Sequence, residues 1–150
     1  MYSKREAFHL RKNFWTQLGQ YLRPLRNATG ERVNWLNYKT GARYIYFRMD
    51  AGENEATIAI ELRHPDASQQ ARYFGKFRKF ENLMYQTLGE KWQWQLQVID
   101  EDGKPVSCIG TQLQDVNVFN SRDWPAIISF LKPRIIALDA FWNLVKEEFE

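Results

Sequence analysis

Asp50 and the run Glu61-Leu62-Arg63 place two carboxylates and a cation on neighbouring predicted strands. Hard oxygen ligands of that kind can share a divalent ion, and a cation two residues beyond the second carboxylate can orient an attacking water or offset developing charge. Whether they meet depends on strand register. With Glu53-Asn54 as a two-residue turn, Met49 faces Ile58, Phe47 faces Ile60 and Ile45 faces Leu62, so that one face is continuously apolar. Asp50 then lies opposite Thr57, four residues or roughly 13 Å from Glu61. On that register Asp50 reads as a turn residue beside Ala51-Gly52, Glu61 reads as the salt-bridge partner of Arg63, and one metal cannot bridge them. Magnesium enters only if the register is wrong; otherwise no metal or other cofactor is called for.

The elements that position these residues read as an α+β domain over residues 1–150. Ser3 and Glu6 form a capping box for a helix whose apolar positions run from Ala7 to Leu25 and which Pro24 closes. Three alternating runs follow, Val33 to Tyr38, Arg43 to Asp50 and Ala56 to Arg63, with connections too short for crossovers. They predict a three-stranded antiparallel meander. A second helix, capped by Asp66 or Ser68, buries Phe77, Phe80, Met84 and Leu88 and stops at Gly89. Trp92 to Ile99 and Val106 to Leu113 form a hairpin around Asp102-Gly103, extending the sheet to about five strands. A last helical stretch from Asp123 carries Trp124 to Val145, and Pro133 is expected to break or kink it, giving three or four helices packed on the sheet.

If Thr40-Gly41 is also a two-residue turn, Leu36 joins the core opposite Ile45 and Trp35 faces Tyr46 on the other side. That outer face gathers Trp35, Asn37, Tyr44, Tyr46, Arg48, Glu61 and Arg63. Two readings follow. In one it is a half-buried sheet face with the arginines neutralising Glu61. In the other it is a binding surface on which rings stack against bases or a flat ligand and Arg48 and Arg63 meet phosphate or carboxylate. Exposure of Trp35 separates them. A second basic feature is the stripe Arg72, Lys76 and Lys79 on the second helix, either a track for phosphates or the solvated side of an amphipathic helix.

Composition narrows the classes. The aromatic share is 15%, and 21 Lys and Arg against 18 Asp and Glu leave a net charge of +3, mildly basic and by itself too little to imply nucleic acid. The single Cys108 has no partner for an internal disulfide and reads as a packing residue; with His9 and His64 it makes no metal cluster. His64 before Pro65 reads as a packing or capping residue at the strand end. No Gly-rich phosphate loop follows a strand. The start carries no secretory h-region and no apolar run suits a membrane span, so the expected location is cytoplasmic.

The Asp50…Glu61-Leu62-Arg63 spacing resembles the Asp…Glu-x-Lys pattern of the restriction-endonuclease-like superfamily, with Arg63 in place of the lysine; a planar, permanently charged guanidinium does not substitute for an ammonium. The expected order of helix, three-strand meander, helix and strand is similar to the αβββαβ core of that superfamily. Longer stretches, Phe14-Trp15, Val33 to Gly41, Ile45 to Asp50, His64-Pro65-Asp66 and Val116 to Asn120, resemble an uncharacterised bacterial family of domains of unknown function found beside restriction-type nuclease segments. The resemblance implies association with nucleic acid or with a nuclease-system protein, through a nuclease-like core whose catalytic set is degenerate. The alternative is a non-enzymatic module that holds a protein or ligand on the aromatic sheet face or on the C-terminal helix.

Overall fold

The computed structural model describes residues 2–149. Helix α1 (Lys4–Leu22) starts as its capping box requires: the Ser3 side chain accepts from the Glu6 amide at 3.1 Å, satisfying one of the open donors of the first turn. Strands β1 (Ile45–Ala51) and β2 (Glu55–Leu62) form a hairpin with the register expected from the apolar alternation: Ile45 opposite Leu62, Phe47 opposite Ile60, Met49 opposite Ile58, and Asp50 opposite Thr57. Helix α2 (Ala67–Lys79) is capped by Asp66, which accepts from the Ser68 and Gln69 amides. The chain turns at Phe80 into a separate helix α3 (Glu81–Leu88), so the expected single second helix is two, and Gly89 ends the second of them with a positive φ of 75°. Strands β3 (Gln93–Ile99) and β4 (Pro105–Gln114) form the second hairpin, and α4 (Trp124–Val145) closes the fold.

All neighbouring strands are antiparallel, in the order β1, β2, β4, β3. The described residues form four strands, not about five, because the run Val33 to Tyr38 is not a strand. Asn34 instead accepts from the Asn37 amide at 3.2 Å and winds Trp35–Asn37 into a short 3-10 turn. Trp35 swings into the core, 3% exposed, and its indole N–H donates to the Leu25 carbonyl at 3.0 Å; Leu36, expected inside, is 40% exposed. A buried indole needs a partner for its N–H, and the Leu25 carbonyl, just past the end of α1, provides it. The element order, helix, hairpin, two helices, hairpin, helix, therefore departs from αβββαβ.

The inner sheet rows, Phe47–Ile60–Ile109–Trp94 and Met49–Ile58–Thr111, pack against α4 and α2. Along α4, Ile127, Leu131, Ile135, Leu138, Phe141, Trp142 and Val145 are buried, the stripe a core helix must bury. The helix does not break at Pro133. It continues through to Val145 although Pro133 has no N–H to give the Ser129 carbonyl, and one residue on, the Arg134 side chain folds back to donate to the Phe130 carbonyl at 2.9 Å. These stripe residues belong to the core, while Leu144 near the end of the same helix is 65% exposed. Among the described residues no helix is long and apolar enough to cross a membrane.

Candidate functional site

Period-2 alternation puts Tyr46, Arg48 and Asp50 on the side of β1 opposite the core, and the ladder extends them into three rows across the sheet. These are Tyr46–Glu61–Cys108–Gln95, Arg48–Ala59–Gly110–Gln93, and Asp50–Thr57–Gln112. Tyr46, Arg48, Gln93, Gln95 and Gln112 are exposed, whereas Thr57, Ala59, Cys108 and Gly110 are half-buried by their strand neighbours. The centre is a shallow depression of about 180 Å³ floored by Ala59 and Gly110 and rimmed by Gln93, Gln95 and Gln112. Gly110 is dictated by close approach: a Cβ there would lie 2.8 Å from both the Ala59 Cβ and the Ile58 carbonyl oxygen.

The candidate catalytic set does not converge. Glu61 is held by Arg63 at 2.9 Å and approached by Arg48 at 3.4 Å, while Arg63 also reaches Asp100 at 3.0 Å. Burial works against the Arg63 charge, but its bonds to Glu61 and Asp100 outweigh this and raise its pKa. Amide donors, led by Lys104, together with Arg63 hold the Asp100 carboxyl below its ordinary range. Asp50 stands in another row, bound to Arg11 of α1 at 2.6 Å and to the Ala51 amide at 2.9 Å. Among the described residues no three His, Cys, Asp or Glu side chains converge as metal ligands. Cys108, opposite Glu61, has its thiol pKa pushed up by burial and by that carboxylate, the wrong direction for a nucleophile.

The candidate binding residues do not gather in one place. Tyr46 and Arg48 lie on the open face, the guanidinium 5.0 Å from the ring centroid. Trp35 is core, so the exposure that would mark it as part of a binding surface is absent, and Asn37 sits exposed in the 3-10 turn away from the ladder. Tyr44, before β1, has a φ of 69° and packs edge-on against His64 at 4.7 Å. His64 in turn accepts from the Asp66 amide through Nδ1 at 3.0 Å, a packing role at the strand end. The α2 stripe is divided. Lys76 donates to the Glu148 carbonyl at 2.8 Å, Arg72 lies 3.5 Å from the Gln69 side-chain oxygen, and Lys79 is exposed.

Sequence reading passed over Asp139, which is 1% exposed in the middle of α4. Its carboxyl accepts from the Ala28 amide at 2.7 Å, the Tyr38 hydroxyl at 2.5 Å and the Asn143 amide at 3.0 Å, tying the segment after α1 to the central helix. The only local sign was an acidic residue on an apolar helical stripe.

The pattern of the DUF4268 family, a domain of unknown function, matches residues 10–146. The chain belongs to the DUF4268 family. No curated protein and no solved structure gives a match. The matched region of this DUF4268 domain includes the four strands, most of α1 and all of α4, so both the open sheet face and the Asp139 tie lie within it.

Proposed function

We propose that this DUF4268 domain is a non-catalytic module that binds single-stranded nucleic acid across its uncovered sheet face. The observation that carries the reading is the row Arg48–Ala59–Gly110–Gln93 beside Tyr46: a flat floor of small residues, one exposed ring, one guanidinium and a fringe of amides. A small floor lets a planar base approach the sheet closely. Tyr46, 38% exposed, offers a stacking surface, worth about 1–3 kcal/mol per base in such sites. Glutamine amides carry both donors and acceptors for base edges, and Arg48 matches a phosphate. Catalysis has no support in this arrangement, because Glu61 is engaged by two arginines and Asp50 by a third.

The test is fluorescence anisotropy with a labelled single-stranded oligonucleotide of about 12 nucleotides, a length on the scale of one such sheet. Binding is expected to weaken with salt and to fall about 5- to 100-fold in Tyr46→Ala, the loss equivalent to one stacked base. Absence of binding at about 50 mM salt, or binding indifferent to both Tyr46→Ala and Arg48→Ala, overturns the reading. One feature favours a protein partner instead: edge strand β3 leaves Leu96 51%, Val98 36% and Ile99 67% exposed, and such edges pair readily with another chain.

A further inference from the structure

The end of α1 and the segment after it carry an arrangement separate from the sheet face. Arg23, Arg26 and Arg32 line one cavity of about 400 Å³ together with Gln20. Among the described residues none of the three has a carboxylate within 4.0 Å. Three permanent cations facing one space repel each other, and an anion with several charges relieves this. The segment is held in place before any ligand arrives. Asn27 Oδ1 accepts from the Thr29 and Glu31 amides at 3.1 and 2.8 Å, Asp139 holds the Ala28 amide at 2.7 Å, and Trp35 holds the Leu25 carbonyl at 3.0 Å. Arg26 itself reaches back to the Gly30 carbonyl at 3.4 Å.

Gln20 also lines a neighbouring cavity of about 540 Å³, whose walls include Tyr21 and Trp124 and the amides of Asn13 and Gln17. Tyr21 is 50% exposed, and the Lys132 ammonium lies 5.8 Å from its ring centroid. Trp124 is fixed by its indole N–H donating to the Val118 carbonyl. The two cavities share Gln20 as a lining residue, one supplying guanidiniums and the other an aromatic wall with amide donors and acceptors.

We propose that this paired cavity binds a nucleoside 5′-phosphate, with the phosphates among Arg23, Arg26 and Arg32 and the base against Tyr21. Guanidinium forks match phosphate oxygens in pairs, rings stack on the π-face of any base, and side-chain amides meet base edges. The ligand is either a free nucleotide or the 5′-phosphorylated end of a strand; the recognised chemistry is the same.

Isothermal titration calorimetry of the full chain with ATP and with inorganic tripolyphosphate tests this. ATP is expected to bind with a Kd on the order of 10–100 µM. The triple variant R23Q/R26Q/R32Q, checked for folding by circular dichroism, should lose at least about tenfold for both ligands, and the single Arg26→Gln variant should lose part of that. Tyr21→Ala should weaken ATP and leave tripolyphosphate unchanged. Oligonucleotides with a 5′-phosphate or a 5′-hydroxyl distinguish the sources: an arginine-dependent preference for the phosphate identifies a strand end, and binding of ATP alone identifies the free nucleotide. No ATP binding up to about 5 mM, equal binding by the triple variant, or ATP binding unaffected by Tyr21→Ala overturns the assignment. Tyr46→Ala on the sheet face should leave ATP binding intact, so failure here and failure of the sheet-face reading are separable.

Discussion

The Tyr38 hydroxyl donates to the buried carboxyl of Asp139 at 2.5 Å, joining residues 101 positions apart. Asp139 has no Lys, Arg or His partner among the described residues, and its oxygens are satisfied by the Ala28 amide, the Tyr38 hydroxyl and the Asn143 amide. A buried polar group satisfied only by neutral donors is sensitive to the loss of any one of them. Tyr38→Phe removes one donor while keeping the ring that stacks on Phe47 at 5.1 Å. It should destabilise the fold by about 1–3 kcal/mol in urea denaturation. A change below about 0.5 kcal/mol would show that the tie contributes little.

The same pair sets an alkaline dependence. Burial, and then the hydrogen bond to Asp139, raise the Tyr38 pKa well above the ordinary phenol value. The unfolded chain therefore releases this proton first, near pH 10, while the folded chain keeps it. The contribution is fully present below about pH 10 and declines as pH rises beyond it. Thermal melts from pH 9 to pH 11 should show a steeper fall for the wild type than for Tyr38→Phe. Parallel curves would contradict this.

At the centre of the open face, Gly110→Val should destabilise by about 1–3 kcal/mol, the usual cost of forcing extra carbon atoms into a filled site. The first added carbon meets the Ile58 carbonyl, part of the β2 backbone, so trimming a side chain cannot relieve it. Accordingly the double variant Gly110→Val with Ala59→Gly should recover little of the loss. Full recovery would place the clash on Ala59 alone.

Two ion pairs of different exposure should differ in weight. Arg63 bridges Glu61 and Asp100 with side-chain exposures of 32%, 19% and 17%, while Arg11 and Asp50 are 42% and 67% exposed. Water screens the second pair, so Arg11→Met should cost about 0–0.5 kcal/mol. Arg63→Met leaves two partly buried acids without their shared cation and should cost about 1–2 kcal/mol. Equilibrium denaturation that reverses this order would refute the role given to Arg63.

The geometry around Glu61 also predicts that the chain leaves single- and double-stranded DNA uncut in magnesium or manganese. Octahedral oxygen coordination at about 2.1 Å needs further ligands within a few ångströms, and the neighbours of Glu61 are guanidiniums. Metal-dependent cleavage that disappears in Glu61→Gln would restore Asp50, Glu61 and Arg63 as a catalytic set.

What the sequence by itself determined is local and periodic. The β1–β2 register was legible because strand side chains alternate with period two, and any slip would carry Phe47 and Ile60 to the outer face. Ser3, Asp66 and Gly89 were legible as helix ends because capping is settled within a few residues. Tertiary structure decided everything that needed a distant partner. Val33 to Tyr38 alternates like a strand, yet Trp35 is drawn into the core by packing and by the Leu25 carbonyl. Likewise Pro133 stays within a continuous helix because α4 is buried along its length and packing offsets the missing backbone bond. Neither the insertion of β4 between β2 and β3 nor the resulting row Arg48–Ala59–Gly110–Gln93 has a local signature, because it joins residues from four separate strands. The same holds for Asp139, whose donors come from Ala28 and Tyr38 as well as from its own helix, and whose burial is set by where α4 comes to rest.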